Sequence, residues 1–288
     1  MTLPQPASLD PAWLDVQYNN RARIPGHPQL FARWDADSAA ARAALPCRVD
    51  LRYGDGPNET LDVFPAAQPG APVLVFIHGG WWRSLDKAGH SFVAPAFVRG
   101  GATVVLPNYA LSPSVTIETI VLQMTRALAW TWRHAAAHHG DPRRIVLVGH
   151  SAGGHLATML LACDWRRVAP DLPAGLVRCA LSISGLYELE PVRLTPFLKA
   201  DLRLTPAAVA HLSPARFPAP RGRTLLAAAG ALESEEFLRQ NRLIQAAWGK
   251  AVVPRCEEVP GTNHLDVLHA LAEPDGVLHA RAWELLRA

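Results

Sequence analysis

Five short runs, Val73–Ile77, Thr103–Leu106, Ile145–Val148, Ala180–Ile183 and Thr224–Ala228, contain no charged side chain and recur along the chain. A strand with one wet face alternates apolar and polar residues, so unbroken runs of this length fit strands covered on both faces, as in a parallel sheet. Between the second and third runs, Ile117, Val121, Met124, Leu128 and Trp132 recur at helical spacing, and Gly140-Asp141-Pro142 is expected to stop that helix. Met124 and Trp132 are then core residues. Strands alternating with helices predict an α/β fold, a doubly wound and mostly parallel sheet. Cys47 to Tyr53 and Thr60 to Phe64 flank Gly54-Asp55-Gly56-Pro57-Asn58 and predict a hairpin of two antiparallel edge strands.

The 288 residues suit one domain, 1–288. Residues 1–45, Ala- and Arg-rich in their second half, are expected to form an N-terminal helical arm. Residues 186–222, rich in proline and short apolar patches, are expected to form a small helical cap inserted after a strand. A formal charge of +3 and the absence of a Lys/Arg run argue against nucleic acid. The apolar runs are too short to span a bilayer, and the N-terminus has no basic-then-apolar signal pattern, so a cytoplasmic, membrane-free protein is expected. Cys47, Cys163, Cys179 and Cys256 lack C-x-x-C spacing and are expected to be reduced structural thiols. Adjacent His138 and His139 point to different sides of a helix end, so no metal is expected there. The partner expected is a small, fairly neutral molecule, and a homodimer is compatible with the sequence.

Gly149-His150-Ser151-Ala152-Gly153 ends the third run. Gly-x-Ser-x-Gly arises by chance in roughly one chain in ten of this length, so the motif alone is weak. Its context, an apolar strand before it and small helix-compatible residues to Cys163 after it, is that of a nucleophile elbow rather than a plain glycine turn. A serine hydroxyl needs a base, an acid to orient that base, and donors for an oxyanion. His78-Gly79-Gly80-Trp81-Trp82 directly follows the first run, where an HGG-type loop belongs. The Gly80, Trp81 and Ala152 amides are the expected oxyanion donors, with Gly79 giving the loop its freedom.

His264 follows the expected terminal strand Val252–Val259 and is the expected base. The expected acid is Glu233, after the run Thr224–Ala228, which gives the order Ser, acid, His. Glu235 and Glu236 fall in the first turn of the next helix, where the dipole alone would favour them. Glu235, or Glu188 and Glu190 after the preceding strand, remain alternatives to Glu233. Trp81, Trp82 and Tyr18 are the expected substrate contacts, with core packing of both indoles as the simpler alternative.

Over nearly its whole length the chain resembles the α/β-hydrolase superfamily, and within it the kynurenine formamidase (arylformamidase) group and its esterase-like bacterial relatives. The resemblance rests on His78 to Trp82, Gly149 to Gly153, Ser184-Gly185-Leu186-Tyr187, Glu233 to Phe237 with Arg239-Gln240, and Asn263-His264-Leu265-Asp266. It implies the α/β-hydrolase fold and two-step acyl transfer without a metal or cofactor. Glu233 departs from the Asp common in that group. The same machinery serves a short-chain carboxylesterase, and a catalytically silent binding module could keep the fold and lose the chemistry.

Overall fold

The computed structural model describes residues 3–288, so Met1 and Thr2 of the expected arm lie outside the described residues. The chain opens with helices α1 (Pro11–Tyr18), α2 (Asn20–Arg23) and α3 (His27–Ala44), then the hairpin β1 (Arg48–Arg52) and β2 (Thr60–Phe64). The alternation follows: β3 (Ala71–Ile77), α4 (Ala94–Arg99), β4 (Thr103–Pro107), α5 (Ile117–His134), β5 (Gly140–His150), α6 (Ala152–Leu161), α7 (Trp165–Val168) and β6 (Cys179–Ile183). Short helices α8 (Glu190–Leu194), α9 (Pro196–Leu202) and α10 (Pro206–Leu212) occupy the segment expected as a cap. The chain closes with β7 (Thr224–Gly230), α11 (Glu235–Trp248), β8 (Arg255–Val259), α12 (His269–Ala272) and α13 (Val277–Arg287).

One eight-stranded sheet runs in the order β1-β2-β4-β3-β5-β6-β7-β8. From β4 to β8 every neighbour is parallel, and only β2 runs against the rest, antiparallel to both β1 and β4. This is the expected α/β-hydrolase sheet. Alternate side chains of each central strand point to opposite faces. Val73, Val75 and Ile77 pack with α5, α6 and α11, while Leu74 and Phe76 pack with Trp34, Phe97 and Leu278 on the other face. Two buried faces therefore account for the unbroken apolar runs.

Four local expectations change. β2 is not an edge strand, because it pairs antiparallel with β4 on its far side and is buried throughout. The helix stops before Gly140-Asp141-Pro142 is reached: α5 ends at His134, and those three residues already belong to β5, where Gly140 pairs with Ala71. The last strand begins at Arg255, with Val252 and Val253 packed beneath it as core residues. Trp132 is only partly buried, whereas Met124 is fully so. No helix among the described residues is long and apolar enough to cross a membrane.

Candidate active site

All the residues singled out for chemistry follow the C-terminal ends of β3, β5, β6, β7 and β8, the end of an open α/β sheet where ligands bind. At the end of β5 the chain reverses through Ser151 at φ 56° and ψ −118°, a backbone conformation that a non-glycine residue adopts only when its surroundings impose it. Here the Ser151 N–H donates to the Ile183 carbonyl at 2.8 Å, which pins the elbow to β6. The glycines around it are matters of space. A Cβ on Gly153 would stand 2.0 Å from the Ile77 oxygen, so α6 can pack this close to β3 only without one.

Three side chains from three strand ends meet. The His264 Nε2 lies 3.0 Å from Ser151 Oγ, and its Nδ1 lies 2.6 Å from Glu233 Oε2. With a carboxylate at Nδ1, the imidazole carries its proton there and leaves Nε2 free to accept from the serine. The second carboxylate oxygen, Oε1, accepts from Ser184 Oγ at 2.5 Å and from the Gly230 N–H at 2.7 Å. All three groups are buried. Glu235 lies in the first turn of α11, Glu188 binds Arg239, and Glu190 binds Arg193, so none of these alternatives competes with Glu233 for the imidazole.

His264 is held from several sides. The Asn263 and Asp266 side chains tie the turn around it, with two contacts from Asn263 to Asp266 at 2.6 Å. His150 Nε2–H donates to the His264 carbonyl at 2.7 Å, and burial pushes the His150 pKa well down, so it is neutral. The Phe237 ring sits 4.3 Å from the imidazole, centroid to centroid. Sequence reasoning did not foresee Ser184 as the support of Glu233 or His150 as the support of His264; the positive φ of Ser184, 52°, has no mark in the sequence.

The loop after β3 approaches the elbow so closely that a Cβ on Gly79 would stand 2.9 Å from the His150 oxygen and 3.0 Å from Ser151 Cβ. Gly79 therefore supplies clearance rather than the freedom expected of it. The left-handed backbone belongs to Gly80 (φ 107°), Trp81 (φ 54°) and Trp82 (φ 55°). Among the described residues, the N–H groups of Gly80, Trp81 and Ala152 have no protein acceptor. His78 braces this loop through the Gly79 carbonyl and Asn108, stacked 4.3 Å from Tyr109.

A cavity of about 330 Å³ opens over Ser151 and His264. Trp81 lines it together with Phe31 and Trp34 of α3 and Phe197 of α9, so the arm and the segment after β6 both reach the site. Arg83, just beyond the β3 loop, is bound to Asp201 of α9. Two expected substrate contacts are elsewhere. Trp82 is fully buried in the core against His155, and Tyr18 is fully buried with its hydroxyl donating to Glu236 Oε2 at 2.8 Å; neither lines the cavity. Burial, and then the Glu236 charge, raise the Tyr18 pKa well above its ordinary value. Tyr18 still acts on the site at one remove, through edge contacts with Trp81 and Phe237.

Residues 61–165 match the BD-FAE family model. Kynurenine formamidase of Danio rerio is 29% identical over 248 residues, covering 83% of this chain and 81% of its own. Esterase LipQ of Mycobacterium tuberculosis is 33% identical over 149 residues, 49% of this chain and 35% of its own. Among solved structures, a putative thioesterase from Silicibacter sp. TM1040 superposes with a TM-score of 0.83 at 30% identity, covering 94% of this chain and 98% of that one. With this sheet and elbow, the chain belongs to the α/β-hydrolase superfamily.

Proposed function

We propose that this chain is a serine hydrolase that cleaves small aryl amides or esters through an acyl-enzyme, with an aryl formamide as the preferred substrate. The observation that carries the reading is the continuous hydrogen-bonded line from Ser151 Oγ through His264 to Glu233, at 3.0 and 2.6 Å, on the floor of an aromatic-lined cavity. In this reading His264 Nε2 takes the Ser151 proton as Oγ attacks the carbonyl carbon, and Glu233 stabilises the imidazolium. The N–H groups of Gly80, Trp81 and Ala152, which have no other acceptor among the described residues, receive the oxyanion. The imidazolium then protonates the leaving nitrogen or oxygen, and water repeats the cycle on the acyl-serine.

A formyl or acetyl group suits the acyl side because Trp81 stands at the oxyanion loop and in the cavity wall. An arylamine leaves more readily than an alkylamine, so a formanilide asks less of His264 than a peptide would. Likeness to a kynurenine formamidase over most of both chains supports the formamide. The esterase relative, matched over about half of this chain, supports a short-chain carboxylesterase as the second reading. The deciding measurement is kcat/KM for formyl, acetyl, butyryl and octanoyl derivatives of one aryl leaving group, with N-formylkynurenine alongside. A steady fall with acyl length and efficient formamide turnover is expected; a maximum at butyryl or beyond, with the formamide untouched, would leave the esterase.

A further inference from the structure

The loop after β3 turns on the Gly80 carbonyl, which accepts from the Arg83 N–H, the Ser84 N–H and Ser84 Oγ, each at 3.0 Å. The next residue, Leu85, stands at φ 72°. In that left-handed region a Cβ crowds the carbonyl oxygen that follows it, so a bulky side chain is kept there only where its surroundings hold it. Trp82, left-handed in the same loop, is held by the core, and Trp81 by its contacts with Tyr18 and Phe237. Leu85 has no such hold: it is only partly buried and packs into neither hydrophobic cluster of the sheet. What surrounds it is the cavity over Ser151, whose wall it forms beside Gly80; a Cβ on Gly80 would stand 3.1 Å from Leu85 Cγ. The other apolar residues of that wall, Phe31, Trp34, Trp81, Phe197 and Leu265, all pack into one cluster or the other. A strained leucine that contributes to no core is explained by what it does in the cavity.

We propose that Leu85 sets the upper size of the acyl group, its isobutyl side chain filling the space that a chain longer than acetyl would need. The inference rests on the reading of Ser151 as the nucleophile of this cavity. In the sheet, β3 lies on one side of β5, and β6, β7 and β8 lie on the other. His264 comes from the β8 side and has to reach the leaving atom, so the leaving group lies toward that side. Leu85 comes from the β3 side with the loop donors of the oxyanion, where the substituent that stays on the acyl carbon is left to lie.

The test is kcat/KM for acetyl, propionyl, butyryl and hexanoyl esters of 4-nitrophenol. In Leu85→Gly the butyryl-to-acetyl ratio is expected to rise about tenfold or more above wild type, the scale on which a hydrophobic pocket discriminates a methylene or two. In Leu85→Phe the propionyl-to-acetyl ratio should fall below wild type, the opposite direction. Ratios unaltered in both variants, or moved the same way in both, overturn the proposal. A second series keeps the acetyl group and enlarges the leaving phenol; an effect of Leu85→Gly confined to that series overturns the acyl assignment. Leu85→Gly should also keep the wild-type urea midpoint, because relief of the left-handed strain offsets the freedom that glycine gives the unfolded chain. A drop like that of a truncated core leucine would make Leu85 a packing residue and overturn the proposal. A wild type that prefers butyryl, with the ratio still raised in Leu85→Gly, would sink the small-acyl reading and leave the role of Leu85 standing. A wild type that falls steeply with acyl length, with ratios untouched in both variants, does the reverse.

Discussion

In the proposed reading Ser151, His264 and Glu233 carry the chemistry, so their variants make the sharpest tests. Ser151→Ala should abolish hydrolysis and labelling by a fluorophosphonate, with a rate loss on the order of 10⁴ to 10⁶ and an unchanged circular dichroism spectrum. A variant that keeps a tenth of wild-type activity would remove Ser151 from the chemistry. Glu233→Gln should cost on the order of 10³ to 10⁴ in rate, because an amide cannot hold the imidazole in the same tautomer, whereas Glu235→Gln should cost little. Equal losses in the two variants would dissociate the acid from Glu233. The spacing of Gly149 to Gly153 and the chain order of serine, glutamate and histidine pointed to the three side chains that the structure brings within hydrogen-bonding distance. What the sequence could not convey at this scale is side-chain direction. Trp82 follows Trp81 directly, yet one is core and the other cavity wall, because two consecutive left-handed residues turn them apart.

The central strands were legible because burial on both faces leaves a simple mark, an apolar run with no alternation. Elements whose burial is one-sided, or set by a distant partner, were not. β2 reads as half of a hairpin and becomes interior only because β4 docks on it, and the wall that α2 and α3 contribute to the cavity has no apolar period that would announce it. The arm is fastened instead by a buried polar network: Tyr18 bonds Glu236, Glu236 binds Arg239 at 2.8 Å, and Gln240 donates to both the Tyr18 hydroxyl and the Glu188 carbonyl. Tyr18→Phe should therefore act on stability, lowering the free energy of unfolding by about 1–3 kcal/mol as read from urea midpoints, through loss of a bond to a buried carboxylate. A pure rise in KM with unaltered midpoint would instead make Tyr18 a substrate contact. At the elbow, Gly153→Ala should force α6 away from β3, costing about 1–3 kcal/mol or more in the same assay together with most of the activity.

Across the whole molecule, buried neutral histidines tie loops and elements together. Burial pushes the His155 pKa down from 6.5 to about 4 and that of His90 to about 3, and it lowers His78 and His150 as well. The unfolded chain takes up a proton at each of these positions as pH falls through 6.5, whereas the folded chain does not until pH reaches the lowered value. Stability is therefore complete above about pH 6.5 and is lost progressively toward pH 4; for His155 alone the linked loss amounts to about 3 kcal/mol. Urea unfolding should show a midpoint that drops steeply between pH 7.5 and 5. His155→Gln, which removes the ring bound to the Leu212 carbonyl at 2.8 Å, should lower the midpoint at pH 7.5 yet flatten its pH dependence. An equally steep profile in the variant would separate His155 from the acid sensitivity.

The Ser151 and His264 side chains that touch across 3.0 Å are separated by 113 residues, and the carboxylate between them in sequence arrives on another strand. Closing loops of that length against parallel neighbours is slow, since chain entropy is spent before the pairing is gained. In the proposed reading, a chain assembled only through β6 would already present its serine, but without the base that activates it. On that proposal reactivity arises late, once β7 and β8 have joined the sheet, and partly folded molecules that expose the elbow stay chemically quiet toward their surroundings.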